Sequence, residues 1–462
     1  MRLTSKILFN TTMAAAFAAA VVSCTPSARK APIGVFDSGT GGFTVLERIL
    51  ALDGFDNSNG KLGPDGKPDF DSEDFQYLAD QANMPYGRYD AEGKAYFLRD
   101  LAVKDAFFLT GEGYAESAAS LVNDCTKQGV KIVVIGCNTA TAYGLDAIRD
   151  TLAALGSDIK VIGVVEAGSA NAIEYLSDRF SEASIGVLAT PGTISSGVYE
   201  RMLHAAAPAG LSIGVVNQSG YGFAEAVDEE KEFVNRTLSG FSENYLGPVF
   251  GESDADIDPS ILSVYNFDFS ASKAFIEKDA AGNAIRIQLN SSDNYARFNL
   301  TNLLEKARRE GIQVPMRCII LGCTHYPFLL ETLQEHLSYL RSYTAADGSQ
   351  PYAALVSEDC RFIDPAENTA IECYKALKES RLLVRRKRAG HLDAFISVPS
   401  SHLPDSCLTE DGGLTYAFKY GREVNDGTVS TVVVPMTPDV VNPDNLARIE
   451  RLLPLCWKKL SE

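Results

Sequence analysis

The chain has no excess of positive charge: 42 Lys and Arg stand against 60 Asp and Glu, a formal net charge of −18 over 462 residues. A nucleic-acid footprint needs clustered positive charge, so this balance argues against a nucleic-acid partner. The one basic run, Arg385-Arg386-Lys387-Arg388, is short and reads as a solvated helix end or loop. Beyond residue 22 no apolar stretch approaches the ~18 residues a membrane span needs. Histidine is scarce, with five in the chain, and no two cysteines stand in CxxC spacing. No metal site is therefore expected. There is no P-loop, and the GTGG turn at Gly39–Gly42 lacks GxGxxG spacing, so no nucleotide signature competes. What is present is ordinary for a folded protein, 45% hydrophobic and 22% charged, with length for two to three domains.

The N-terminus reads as a targeting segment. Arg2 and Lys6 precede a short Ala-rich apolar stretch, Ile7 to Val22, which ends at Val21-Val22-Ser23-Cys24. A small residue before a cysteine at this point resembles a bacterial lipoprotein signal, with Cys24 the lipidated residue. Residues 1–30 are then signal and tether, and the expected location is the cell envelope, outside the cytoplasm, on a membrane through a lipid anchor. The eight remaining cysteines show no staple-like spacing, and several lie in apolar runs that suit buried thiols.

Short apolar runs alternate with helical patterns along the rest of the chain. Ile33 to Phe36, Lys131 to Ile135, Val161 to Val165, Ile185 to Leu188 and Arg317 to Leu321 read as buried strands, an alternation that indicates parallel α/β architecture. Ligands of such sheets bind at the carboxyl ends of the strands. An internal echo is informative there. KIVVIGCNTATAYGLDAIRD from Lys131 and RCIILGCTHYPFLLETLQE from Arg317 share one grammar, an apolar strand, Gly-Cys, a polar residue and then an amphipathic helix. A weaker echo pairs IGVFDSGTGG from Ile33 with IGVLATPGT from Ile185. The expected fold is α/β, two similar flavodoxin-like parallel-sheet domains related by a pseudo-two-fold, with Cys137 and Cys323 facing each other across the cleft between them. The divisions expected are 31–158 for the first part of domain 1, 159–358 for domain 2 and 359–462 for the return to domain 1 plus a C-terminal extension. Residues 53–75 and 239–292 read as insertions, the first a solvated acidic loop rather than a calcium site, the second carrying a hairpin turn at Ala280–Asn283. Trp457, the only tryptophan, falls in a closing helix and is expected to pack.

Two thiols at matched positions suit one kind of chemistry. Inverting an amino-acid α-carbon needs one group to remove a proton and another to return one from the opposite face. A thiol is far more acidic than the α-carbon, with a reference pKa of about 8.5, and a helix N-terminus aimed at the sulfur would lower that value. Both Gly-Cys motifs are expected to provide such a terminus, whose N–H groups could also hold a carboxylate.

The motifs then resemble those of one family. Asp37-Ser38-Gly39-Thr40-Gly41-Gly42 resembles the DSGxGG opening of glutamate racemases. Pro85-Tyr86-Gly87 is similar to their PYG loop, Cys137-Asn138-Thr139-Ala140 to CNTA, and Gly322-Cys323-Thr324-His325-Tyr326-Pro327 to GCTHYP. Thr190-Pro191-Gly192-Thr193 resembles a TxGT turn, and Ile363 through Ala370 the late IDSGAETA segment. The matches run in family order from residue 32 to about 375. The resemblance implies a cofactor-independent isomerase that racemises glutamate, supplies D-glutamate for peptidoglycan and the cell wall, and forms a homodimer. It implies Cys137 as the base towards D-glutamate and Cys323 as the base towards the L-enantiomer, assisted by Asp37 and His325 respectively. Ser38, Pro85, Tyr86, Gly87, Asn138, Thr139, Thr190, Thr193 and Thr324 would hold the small-molecule amino acid.

Two departures stand out. Family members carry a Glu in a segment resembling ACPLFVPLVEEG, where this chain has QSGYGFAEAVDEE from Gln218 to Glu230. The acid falls at Asp228 or Glu229, and the cysteine and prolines of that segment are absent. An exported location also departs from the cytoplasmic setting of glutamate racemases. Two alternatives stay open: a racemase for aspartate or another amino acid, and a non-catalytic lipid-anchored protein that binds an acidic amino acid.

Overall fold

The computed structural model describes residues 26–386, 388–423 and 429–462. Of the segment expected to be signal and tether, residues 1–25, with Cys24, lie outside the described residues. Among the described residues no helix is long and apolar enough to cross a membrane.

Two sheets carry the fold. The first has six strands in the order Thr431–Pro435, Leu392–Pro399, Phe75–Ala79, Ile33–Asp37, Ile132–Ile135 and Lys160–Gly163. All its neighbours pair in parallel except Thr431–Pro435, which runs antiparallel along the edge. The second has four parallel strands in the order Val356–Ile363, Met316–Gly322, Glu182–Ala189 and Ser212–Ser219. The central runs, IGVFD and IVVI in the first sheet, are buried at every position. This is why they read as continuous apolar segments rather than alternating ones.

Taken along the chain, Ile33, Phe75, Ile132 and Lys160 open strands one to four of the first half, and Glu182, Ser212, Met316 and Val356 those of the second. Both halves have the spatial order 2-1-3-4, so the echo in sequence is an echo in topology. Strand order reverses between strands one and three, and ligands of open α/β sheets bind at such a switch point. Asp37 ends strand one and Gly136-Cys137 follows strand three in the first half. Thr190 follows strand one and Cys323 follows strand three in the second.

Several expected boundaries move. Lys160–Gly163, placed by sequence at the start of domain 2, is hydrogen-bonded into the first sheet, and Val164 and Val165 open a helix, Val164–Ser177, instead of extending the strand. Val356–Ile363 stays in the second sheet past residue 358. The helix after it, Pro365–Glu379, starts on an Asp364 cap with Pro365 in its first turn. It returns the chain to domain 1, packing on helices Phe43–Ala51 and Val164–Ser177.

The insertions and the extension are built into these cores. Strands Ala274–Lys278 and Ala284–Leu289 form the expected hairpin. The excursion covers helix Ser292–Glu310 through Tyr265 Oη to Asn302 at 2.9 Å and Asn294 to the Asp268 carbonyl at 2.9 Å. In the acidic loop, carboxylates accept hydrogen bonds from the loop's own backbone, as Asp53 does from Asp65 and Gly66 and Asp69 from Gly54 and Phe55. Phe55 stacks on Tyr374 with ring centroids 4.0 Å apart, anchoring the loop to the returning helix. Arg386 and Arg388 of the basic run pair with Asp74. The extension adds two strands to the first sheet and ends in helices Pro443–Leu452 and Pro454–Leu460, where Trp457 packs against the first core.

Candidate active site

Each half delivers its site residues from strand ends. Asp37 closes strand one of the first sheet, and its Oδ2 accepts the backbone N–H of Gly42 at 2.8 Å and of Gly39 at 3.4 Å. These bonds fold Ser38–Gly42 into a tight turn. A Cβ on Gly41 would lie 2.6 Å from His325 Cε1 and 2.9 Å from Thr324 Oγ1, so the turn reaches the opposite domain only because that residue is glycine. Asp37 Oδ1 is buried with no hydrogen-bond partner among the described residues. Burial raises the carboxyl pKa against the lowering influence of the nearby His325 charge and the Gly42 and Gly39 amides.

Cys137 is the N-cap of helix Asn138–Ala154, its Sγ accepting the Ala140 N–H at 3.4 Å and lying 3.7 Å from Ser38 Oγ. The sequence led us to expect a thiol acidified by this helix terminus. The structure corrects that. Burial pushes the Cys137 thiol well up, Asp37 adds to the rise, and the Ala140 amide recovers only part of it.

Cys323 follows strand three of the second sheet, but no α-helix begins at it. The chain makes a turn, then a 3-10 segment, Tyr326–Leu329, and the α-helix starts only at Leu330. The expected helix terminus is thus displaced from the second sulfur. Its place is taken by a side-chain series: Cys323 Sγ lies 3.4 Å from His325 Nδ1, and His325 Nε2 lies 3.0 Å from Asp228 Oδ2. Asp228 Oδ1 forms an ion pair with Arg448. Burial opposes charge on His325, yet Asp228 and Cys323 outweigh it and raise the imidazole pKa well above its ordinary value. Burial likewise opposes charge on Asp228, and His325 and Arg448 together bring it down to about 2. The buried pair is therefore imidazolium and carboxylate.

Asp228 is the acid that meets His325. Glu229, the other candidate, has a left-handed backbone (φ 57°) and pairs with Arg236.

Polar side chains from both halves also meet at the pocket. The hydroxyls of Thr139, Thr190 and Thr193 form a triangle across the two halves, with edges of 3.0, 3.1 and 2.9 Å. Tyr199 Oη donates to Asn138 Oδ1 at 2.5 Å. Tyr86 turns its hydroxyl away, towards Asp80 and Asp105 (2.7 Å to the latter), so its contribution to the pocket is backbone. A single phenolic proton cannot serve two carboxylates. Burial, with the Asp80 charge, holds Asp105 well above the carboxylate range, so it is the protonated member. The Gly87 backbone meets Gly192 across the cleft, where a Cβ on Gly192 would lie 2.7 Å from the Gly87 oxygen.

Asp37, Ser38, Pro85, Tyr86, Gly87, Cys137, Asn138, Thr139, Thr190, Asp228, Cys323, Thr324 and His325 all line one pocket. Thr193 stands behind it in the hydroxyl triangle. Sequence reading missed Met84, Ala224, Glu225 and Glu230 in the lining. It also missed Arg448, whose helix carries no motif. The acidic DEE at 228–230 was the signal for Glu230. Burial, with Glu225 and Asp228 nearby, pushes Glu230 up to about 8. All eight described cysteines are free thiols, and among the described residues no group of three or more His, Cys, Asp or Glu is placed to hold a metal.

The sequence profile of the Asp/Glu/Hydantoin racemase family matches residues 105–246. A glutamate racemase of Corynebacterium kroppenstedtii is 28% identical over 239 residues, 52% of this chain and 65% of that protein. One of Levilactobacillus brevis is 33% identical over 177 residues, 38% of this chain and 48% of that protein. The chain is a relative of the glutamate racemases. The alignments span from about half to just under two thirds of these relatives' own length. A crystal structure of a glutamate racemase isoform from Bacillus anthracis aligns over 80% of this chain and 89% of its own, with 21% identity and a TM-score of 0.47. Five of the six motifs that resemble those of glutamate racemases supply residues to the pocket wall, the segment from Ile363 to Ala370 does not, and Arg448 comes from beyond them all.

Proposed function

We propose that the protein is a cofactor-independent amino-acid racemase acting on glutamate, with Cys137 and Cys323 as its two bases. The observation that carries this reading is that both thiols, from equivalent strand ends of two like domains, line one pocket. For the D-enantiomer, Cys137 as thiolate takes the α-proton, the Cα–H electron pair passes into an enolate-like carboxylate, and Cys323 delivers its S–H proton to the opposite face. For the L-enantiomer the roles reverse. After either turnover the thiol and thiolate have exchanged places and must be reset, a task for Asp37 on one side and His325 on the other. The entering substrate ammonium favours thiolate formation, offsetting the burial that raises the Cys137 pKa. The hydroxyl triangle and the first-turn amides of helix Asn138–Ala154 are the donors for substrate carboxylates.

Purified protein in ²H₂O under reducing conditions is expected to exchange the α-proton of glutamate, seen by proton NMR, while circular dichroism follows interconversion of the enantiomers. Absence of both processes rejects the reading, and tight stoichiometric binding without exchange would favour a binding protein.

Glu225 and Glu230 in the lining favour a second substrate reading, an amino acid whose side chain is not anionic, because a distal carboxylate entering there meets like charge once they ionise. A panel of L-amino acids followed by loss of optical rotation separates the two. We also propose that the enzyme works outside the cytoplasm, lipid-anchored through Cys24, on the strength of the segment from Arg2 to Ser27. The mass of the protein extracted from membranes tests this, and light scattering tests the homodimer.

A further inference from the structure

The second thiol's support ends on a residue from outside the racemase-like halves. Arg448 lies on helix Pro443–Leu452 of the C-terminal extension, with its side chain 10% exposed. Besides its ion pair with Asp228 Oδ1, it donates to the Val227 carbonyl at 3.0 Å, to Asn445 Oδ1 at 3.1 Å and to Thr40 Oγ1 at 3.4 Å. One guanidinium thus ties its own helix to the Ser38–Gly42 turn of the first domain and to the acid of the second. Asp228 uses its other oxygen on His325, and both side chains are over nine-tenths buried. We propose that Arg448 is a positioning residue for the Cys323 half-reaction, holding Asp228 ionised and aimed at His325 so that the imidazole keeps the proton it exchanges with Cys323.

A buried carboxylate flanked by imidazole alone can neutralise both groups by taking the imidazole proton, which removes two buried charges at once. A second, permanently charged partner blocks that transfer, because the carboxylate would then leave the guanidinium unpaired. A planar guanidinium also fixes direction, since its several N–H groups are committed to Val227, Asn445 and Thr40 as well as to Asp228. Cys137 has no counterpart of this series, so loss of Arg448 should weaken one proton transfer and spare the other.

This inference rests on the proposed racemisation, and the test separates the two. Arg448→Met and Arg448→Lys are compared with wild type using α-deuterated D- and L-glutamate. The equilibrium constant of a racemisation is one, so kcat/KM must fall alike in both directions, and about 10²-fold is expected for Arg448→Met. The isotope effects need not fall alike. With the Cys323 step slowed, the substrate deuterium effect on kcat/KM is expected to rise for the L-enantiomer, whose proton Cys323 removes. It should drop for the D-enantiomer, where the solvent deuterium effect should grow instead. Arg448→Lys is expected to recover part of the rate and move the isotope pattern back. A variant folded by circular dichroism that loses rate with unchanged isotope effects, or loses no rate, overturns the proposal. Nitrogen-15 NMR of the His325 ring gives a readout that needs no turnover: imidazolium in wild type, neutral ring in Arg448→Met or, if that variant does not fold, a partial shift in Arg448→Lys. An unchanged ring also overturns it. Wild-type protein that neither exchanges nor racemises would reject the racemase reading, and the imidazole signal would still decide the role of Arg448.

Discussion

Cys137 and Cys323 hold the same place in two sheets of the same order, yet their surroundings solve the proton problem differently. Cys137 caps a seventeen-residue helix and has a carboxyl group, Asp37, for a neighbour. Cys323 has no α-helix at its side and faces an imidazolium backed by Asp228 and Arg448. On one side, burial and a like-signed neighbour keep the proton on sulfur. On the other, a cation stands ready beside the sulfur. The repeat of the fold fixes where a thiol can sit, at the end of strand three. The chemistry of each is set by what neighbouring segments bring to it, and for Cys323 these come from three separate parts of the chain.

Removing either sulfur should have the largest effect. Cys137→Ala and Cys323→Ala are each expected to cut interconversion of glutamate at least ~10³-fold, the scale of losing a positioned acid or base. Circular dichroism of the reaction mixture checks this. A variant that still racemises at the normal rate would remove that cysteine from the pair.

Asp228→Asn comes next, because it keeps the shape of the His325 partner and removes its charge. A ~10²-fold loss of kcat/KM is expected, with the isotope pattern of a slowed Cys323 step. Stability should register it too. The pKa of Asp228 is depressed to about 2, so its contribution is fully present above its unfolded value near 4 and disappears as pH falls towards 2. That of His325 is raised, so its contribution is present below about 6.5 and fades as pH climbs through the folded value. The stability difference between wild type and Asp228→Asn should therefore be greatest at about pH 4 to 6.5, on the order of 2 kcal/mol from the carboxylate shift. Denaturant midpoints measured from pH 2 to 8 would show it, and a difference that keeps growing below pH 4 would contradict the assignment.

Much of this was legible in the chain, and the parts that were not have a physical reason. The strand ends were readable because parallel strands buried on both faces are continuous apolar runs, and Asp37, Cys137, Thr190 and Cys323 each follow one. Val164 and Val165 misled for the same reason: a buried helix start is as apolar as a strand end. The acid at Asp228 was narrowed to two neighbours, and only the backbone turn at Glu229 separates them. The pKa of Cys137 could not be read from a helix cap, because desolvation outweighs one amide and depends on everything packed around the sulfur. Arg448 had no local signal. It matters through a contact with a residue 220 positions earlier in the chain, and an amphipathic surface helix looks the same with or without that contact.

A smaller effect sharpens the contrast from the substrate's side. Glu230 titrates near 8 and lines the pocket beside Asp228 rather than beside Cys137. Below that pH it is a neutral acid able to donate to a substrate carboxylate, and above it a like charge. For the proposed substrate, KM is expected to rise as pH passes about 8, by up to ~10-fold per pH unit once Glu230 is mostly ionised, while kcat changes less.

The smallest expected effect lies in the hydroxyl triangle that both halves share. Thr193→Val removes one hydroxyl of three and leaves Thr139 and Thr190 bonded to each other at 3.0 Å. Loss of one neutral hydrogen bond is worth about 1 kcal/mol, so KM should rise ~5-fold with kcat little changed. The isotope effects should stay symmetric, because the triangle serves the substrate and neither sulfur in particular. An asymmetric isotope response in Thr193→Val would mean that the triangle belongs to the Cys137 side alone, and that the two halves differ in substrate binding as well as in proton handling.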